Sequence, residues 1–143
     1  MTLAEQIRML ANADAKSLST PRTVLVVEDE RVSRHALVAL LRHSGYVTDE
    51  VASAEEAIRL FKRAAPPEFA IIDVDLPGMN GVDLADYLAR HNPSVHSVLV
   101  TATDLDRLHA LLVDHDVPFL RKPLDFKQLL HVLKENSYDK VSR

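Results

Sequence analysis

Apolar residues fall into two alternating rhythms along this 143-residue chain. Short runs rich in β-branched residues (Thr23 to Val27, Phe69 to Ile72, Val95 to Val100 and Val117 to Leu120) stop abruptly in acids, hydroxyls or turn residues. Such runs predict strands covered on both faces. Tyr46 to Val51 alternates apolar and polar positions (Val47, Asp49, Val51), which predicts a less buried edge strand. Between the runs, apolar residues recur at helical spacing. Val32, Ala36 and Leu40 with Leu37 and Leu41 make one broad face, and Ala54, Ala57, Ile58 and Phe61 the next. Val82, Ala85 and Leu88 mark a third helix, and Leu105, Leu108, Leu111 and Leu112 a fourth. Phe126, Leu129, Leu130 and Leu133 mark a fifth. Ser44-Gly45, Pro66-Pro67 and Asn92-Pro93 punctuate the first three helices.

Strict alternation of strand and helix with short connections predicts an α/β fold, a five-stranded parallel sheet covered by helices on both faces. Residues 22–138 account for that alternation, leaving no room for a repeat, a linker or a second domain. Residues 1–21 form an N-terminal extension in which Leu3, Ile7 and Leu10 share one face of a short helix. That helix is expected to fray or dock; a dimerisation helix is the alternative, although three apolar residues make a short seam. Residues 139–143 form a polar tail.

Composition narrows the function classes. Apolar content of 47%, charged content of 27% and a net charge of −4 suit a soluble domain, and no long basic run favours nucleic acid or an anionic membrane. The absence of cysteine removes disulfide and thiolate-metal frameworks and suits the cytoplasm. No apolar stretch has the length of a signal peptide core or a membrane span. Gly45, Gly78 and Gly81 supply neither GxGxxG nor a P-loop, and the seven histidines show no metal-binding spacing.

The chemistry concentrates at the ends of the strands. Strand one ends in Glu28-Asp29, strand three in Asp73, strand four at Thr101 and strand five at Lys122. Parallel strands bring these ends to one rim, where ligands collect in open α/β sheets. Carboxylates about 4 Å apart repel by about 4 kcal/mol per pair at an effective dielectric near 20, so the cluster calls for a cation or shared protons. Oxygen ligands favour a hard ion, Mg²⁺ above others. A carboxylate nucleophile, a metal, a lysine and a hydroxyl are the parts of a phosphoryl-transfer site. Taken singly, the same residues have plainer readings: first-turn helix acids, a strand-end hydroxyl, a surface lysine and a core phenylalanine. Their convergence on one rim favours the functional one.

Val24 to Glu30, Ile72-Asp73-Val74-Asp75-Leu76-Pro77-Gly78-Met79-Asn80-Gly81, Val100-Thr101-Ala102 and Phe119-Leu120-Arg121-Lys122-Pro123 resemble the motifs of the receiver domain of bacterial two-component response regulators. The match runs through residues 22–138 in register. It implies a flavodoxin-like, doubly wound sheet of order 2-1-3-4-5 with five helices. It further implies that Asp73 is the phosphoacceptor and also a metal ligand, that Asp29 binds Mg²⁺ (or Mn²⁺) directly and Glu28 through water, and that the Asp75 backbone carbonyl completes the protein ligands. Lys122 would pair with the phosphoryl group, Thr101 would hydrogen-bond it, and Phe119 would act as a rotor whose burial follows Thr101. A cis Lys122–Pro123 peptide is part of the same resemblance. Glu28 stands where aspartate is more frequent. Asp75 and Thr103 occupy positions that in the family influence the lifetime of the phosphate.

The expected function is a phosphorylation-controlled switch. A sensor histidine kinase or a histidine phosphotransfer protein donates the phosphoryl group, and the output is a protein–protein contact on the face of helix four, strand five and helix five. Catalysis is expected only on the chain itself. Three other readings stand beside it: the receiver part of a longer transcription regulator or enzyme, a phosphorylation-independent docking module or homodimer, and a small hydrolase working through an aspartyl phosphate.

Overall fold

The computed structural model describes residues 2–6, 22–113 and 115–142, with residues 136–142 described by backbone alone. Five strands, β1 (Thr23–Val27), β2 (Val47–Val51), β3 (Phe69–Asp73), β4 (His96–Thr101) and β5 (Phe119–Arg121), alternate with five helices. These are α1 (Arg31–His43), α2 (Ala54–Arg63), α3 (Gly81–His91), α4 (Leu105–Leu111) and α5 (Phe126–Ser142). All strand pairings are parallel and the order is β2-β1-β3-β4-β5, the predicted doubly wound arrangement. α5 runs on through the segment read as a polar tail.

The sheet is covered on both faces because successive strand side chains point to opposite sides. Leu25, Val27, Ala70, Ile72 and Leu99 face one way and pack with Ala54 and Ala57 of α2, Leu84 and Leu88 of α3 and Leu108 of α4. Val24, Val26, Phe69, Ile71 and Val98 face the other and pack with Val38 and Leu41 of α1 and Leu129 and Leu133 of α5.

Parallel strands also bring every helix start to the rim where the strands end. Glu30 caps α1 by accepting from the N–H groups of Val32 and Ser33, at 3.1 and 2.6 Å. Ser53, Asn80 and Asp104 cap α2, α3 and α4 in the same way. Asp125 accepts from the N–H groups of Lys127 and Gln128 at the start of α5.

Two periodicity readings are corrected. Val32 and Leu40 of α1 are 74% and 46% exposed and Ala36 is exposed too. The buried stripe is Leu37, Val38 and Leu41, one step around the helix. A 3.6-residue period drawn through small and branched residues admits either stripe, and packing against β1 and β2 decides between them. In β2, Val47 is 52% exposed while Tyr46 and Thr48 are buried, so this edge strand turns its polar threonine inward. In the N-terminal extension, residues 3–6 form a helical turn and Leu3 is exposed. Thr2 and Glu5 cap that turn reciprocally. Ile7 and Leu10 lie outside the described residues.

Candidate functional site

The sheet order carries the predicted residues into one place. β3 is central, with β1 on one side and β4 on the other, and β5 follows β4. Val27 pairs with Ile72, so Glu28 emerges beside Asp73, the last residue of β3. Thr101 ends β4 and pairs with Arg121, which hands the chain on to Lys122. The Lys122–Pro123 peptide is cis.

One carboxylate oxygen from each of Glu28, Asp29 and Asp73 lies within 4.8 Å of the others. Glu28 and Asp73 are each 7% exposed, whereas Asp29 opens to solvent. Lys122 Nζ sits between the two buried acids, 3.1 Å from Glu28 Oε1 and 3.1 Å from Asp73 Oδ2. The other oxygen of Asp73 accepts the Asp75 N–H at 3.0 Å, which fixes the plane of the carboxylate. Thr101 is fully buried, and its Oγ1 accepts the Thr103 N–H at 2.8 Å. Phe119 is partly buried against the core face that includes Leu99 and Leu108.

Burial, the neighbouring carboxylates of Glu28 and Asp73, and Lys122 set the electrostatics. Burial above all, together with the neighbouring Asp73, pushes the Glu28 carboxyl up to about 7 against the pull of Lys122. Burial acts the same way on Asp73, but Glu28, the Asp75 N–H and Lys122 outweigh it and hold Asp73 below its ordinary value. Burial depresses the Lys122 ammonium, yet the two carboxylates more than compensate and its pKa is raised. The protein groups alone thus favour a carboxylate at Asp73, an ammonium at Lys122 and a Glu28 that exchanges its proton far above the usual carboxylate range.

The donor set fits a divalent cation. Glu28 Oε2 is buried with no hydrogen-bond partner, and three carboxylates converge with no sulfur or imidazole among them. A cleft of about 370 Å³ lined by Asp29, Asp75, Asn80 and Arg107 gives access from solvent. A second cavity of about 220 Å³ reaches Glu28, Asp73 and Lys122 from the α1 side, walled by Leu37, Ile71, Val100 and Leu124. Its apolar wall lowers the local dielectric and strengthens the ion pairs beside it.

Gly81 is required by proximity. Its N–H donates to the Val74 carbonyl at 3.0 Å, and a Cβ there would meet the Asp73 carbonyl and lie 2.9 Å from Ile72 Cγ2. Gly78 adopts φ +76°, and Glu55 of α2 accepts the Met79 N–H at 3.1 Å beside it, pinning the β3–α3 loop.

Several contributors were not singled out by their sequence pattern. Arg34 of α1 donates to the Glu28 carbonyl at 3.0 Å, Glu50 of β2 pairs with Arg34, and Arg107 reaches Asp75 at 4.0 Å. They are ordinary charges on otherwise polar faces, and only the fold shows what they meet. Among the histidines, His35 pairs with Glu50, His131 with Glu135 and His115 with Asp86, while His96 packs its ring against Phe69.

The chain is 36% identical over 108 residues to the two-component response regulator PhoP of Pseudomonas aeruginosa, covering 74% of this chain and 47% of PhoP. It is 36% identical over 124 residues to the sensory transduction protein LytT of Bacillus subtilis, covering 84% and 49%. The chain thus spans about half the length, or less, of the curated relatives it matches. Its fold superposes with a TM-score of 0.78 on a CheY-like receiver domain from Methanospirillum hungatei, at 20% identity and covering 86% of this chain and 98% of that one. The response regulator TrrA of Thermotoga maritima, solved in complex with Mg²⁺-BeF, gives a TM-score of 0.70 at 26% identity, covering 80% and 97%. Among the described residues no helix is long and apolar enough to cross a membrane. A family model of the response regulator receiver domain matches residues 24–134, and the chain belongs to that family, the phosphoryl-accepting modules of two-component signalling.

Proposed function

We propose that Asp73 accepts a phosphoryl group from the phosphohistidine of a sensor histidine kinase or a histidine phosphotransfer protein, in the cytoplasm. The observation that carries this reading is the Lys122 ammonium held 3.1 Å from both Glu28 and Asp73, with Asp29 completing the acid cluster. A carboxylate oxygen of Asp73 attacks phosphorus, the P–N bond to the donor imidazole breaks, and an acyl phosphate forms. The depressed pKa keeps Asp73 ionised and nucleophilic at neutral pH. Asp29, Glu28 and the Asp75 backbone carbonyl would hold Mg²⁺ (or Mn²⁺), which when bound offsets charge on the transferring phosphoryl oxygens. Lys122 pairs with the same oxygens, and the Thr101 hydroxyl donates to one of them once they are in place.

Reorientation of Thr101 draws on Phe119, which packs against the core face that includes Leu108 of α4, and so reshapes the α4–β5–α5 face that meets the downstream protein. Turning a 1:99 population into 99:1 requires the phosphoryl group to favour the active arrangement by about 5.5 kcal/mol, shared among Lys122, Thr101 and the cation. A second reading is favoured by the length of the relatives: this is the receiver part of a longer transcription regulator or enzyme, with output through an attached domain. In either case the chain's chemistry is its own phosphorylation and dephosphorylation.

The test is labelling by acetyl phosphate with Mg²⁺. Wild type should take up one phosphoryl group and lose it to hydroxylamine. Asp73→Asn should take up none, and persistent stoichiometric labelling of that variant would move the acceptor elsewhere.

A further inference from the structure

The loop that presents Glu28 and Asp29 is held by a side chain with no place in the phosphoryl chemistry. Arg34 lies on the first turns of α1 with its side chain only 14% exposed. Its Nη1 donates to the Glu28 carbonyl at 3.0 Å and, more weakly, to the Asp29 carbonyl at 3.5 Å. Its Nε donates to Glu50 Oε1 on β2 at 3.1 Å, and the same oxygen lies 2.9 Å from His35 Nε2. Meanwhile the Glu28 N–H donates to the Val51 carbonyl at 3.2 Å, extending the β1–β2 ladder by one residue.

The Glu28–Asp29 peptide is therefore fixed from two sides, its N-terminal neighbour by the edge strand and its carbonyls by a guanidinium. Rotating that peptide would swing both acids away from Asp73, because each carboxylate hangs from a Cα that flanks it. A guanidinium can serve both anchors at once through its planar fork; an ammonium offers a single point of attachment. Glu50 matters for a second reason. By pairing with Arg34 it balances the guanidinium, so the clamp supplies geometry with little net positive charge to oppose a cation.

We propose that Arg34, oriented by Glu50, is a positioning residue for the divalent-cation site, acting through the backbone of Glu28 and Asp29. This rests on the function proposed above. Residues that orient metal ligands without touching the metal typically change affinity by about 10–100-fold when removed.

The experiment is Mn²⁺ titration of the unphosphorylated full chain, followed by the electron paramagnetic resonance of free Mn²⁺, for wild type, Arg34→Ala, Arg34→Lys and Glu50→Ala. The Mg²⁺ dependence of acetyl phosphate labelling is measured alongside. Arg34→Ala should bind Mn²⁺ about tenfold or more weakly. Its half-saturating Mg²⁺ should rise by the same factor, while labelling at saturating Mg²⁺ stays near wild type. Arg34→Lys should remain impaired, since one ammonium cannot span carbonyl and carboxylate. Glu50→Ala, which leaves the guanidinium unanchored, should weaken binding severalfold and serves as the probe if Arg34→Ala does not fold. Wild-type affinity in folded Arg34→Ala or Glu50→Ala, or full recovery with lysine, overturns the inference and leaves the proposed function standing. Absence of Mn²⁺ binding by wild type removes both.

Discussion

The hydroxyl of Thr103 donates a 2.7 Å hydrogen bond to Oδ2 of Asp75, joining residues 28 apart in the chain. The bond ties the loop after β3 to the loop after β4, the two that flank Asp73 and Thr101. Arg107 lies 4.0 Å from the other Asp75 oxygen, and the Thr103 N–H holds Thr101 Oγ1. Thr101 is thereby linked through Thr103 to Asp75.

That tie should be measurable as a coupling energy. Thr103→Val and Asp75→Asn, alone and combined, should give a double-mutant interaction of about 1 kcal/mol in urea denaturation. The partial exposure of Asp75 keeps it below the value for a fully buried charged pair. Strict additivity of the two changes would show that the loops move independently.

Stability and cation binding should both follow the Glu28 proton. Its pKa of about 7 lies above that of an unfolded glutamate, so the folded chain binds this proton more tightly. The resulting stability is complete below the ordinary carboxylate range and is lost as pH rises through about 7. The lowered pKa of Asp73 has the opposite sign and matters only in acid, where protonation of that carboxylate removes stability. Without divalent cation, the urea midpoint should fall between about pH 5 and pH 8. A cation competes with the same proton, so Mg²⁺ affinity should rise over that interval and binding at pH 6 should release protons. Calorimetry in buffers of different ionisation heat reads that release; identical apparent enthalpies at pH 6 would contradict it.

Gly81→Ala should destabilise the chain by about 1–3 kcal/mol, the usual cost of forcing a methyl into filled space. The methyl would press on the Asp73 carbonyl and the Ile72 side chain, so the damage should reach the acceptor as well. Thermal melts combined with acetyl phosphate labelling of the folded fraction check both parts.

On α1, Leu41→Ala should cost about 2–5 kcal/mol, because Leu41 is fully buried. Val32→Ser should change stability by less than about 0.5 kcal/mol, since Val32 is 74% exposed. Chemical denaturation of the two variants distinguishes the buried stripe from the exposed one.

Asp73, Lys122, Thr101 and the Glu28-Asp29 pair were legible because each interrupts an apolar run at the end of a strand. Parallel topology then makes all strand ends neighbours. The parallel sheet and the five alternating helices followed from the same alternation, whereas the strand order came only with the resemblance to receiver domains. The face of α1 did not, because Val32, Ala36 and Leu40 have as sound a helical period as Leu37 and Leu41. Arg34 and Arg107 were hidden for a different reason. Arg34 meets a backbone carbonyl and a carboxylate of β2, and Arg107 a carboxylate of the loop after β3, and no local pattern marks a long side chain that will meet them.

Lys122 meets Glu28 across 94 residues of chain, and Asp73 across 49. No fragment ending before β5 can therefore bring the ammonium to the acids. A proteolytic product or an interrupted translation product lacking that strand would leave Glu28 and Asp73 to be balanced by a cation or a proton alone. Such a product would have lost the positive half of the site, so truncation there should silence the chain and not jam it in the on position.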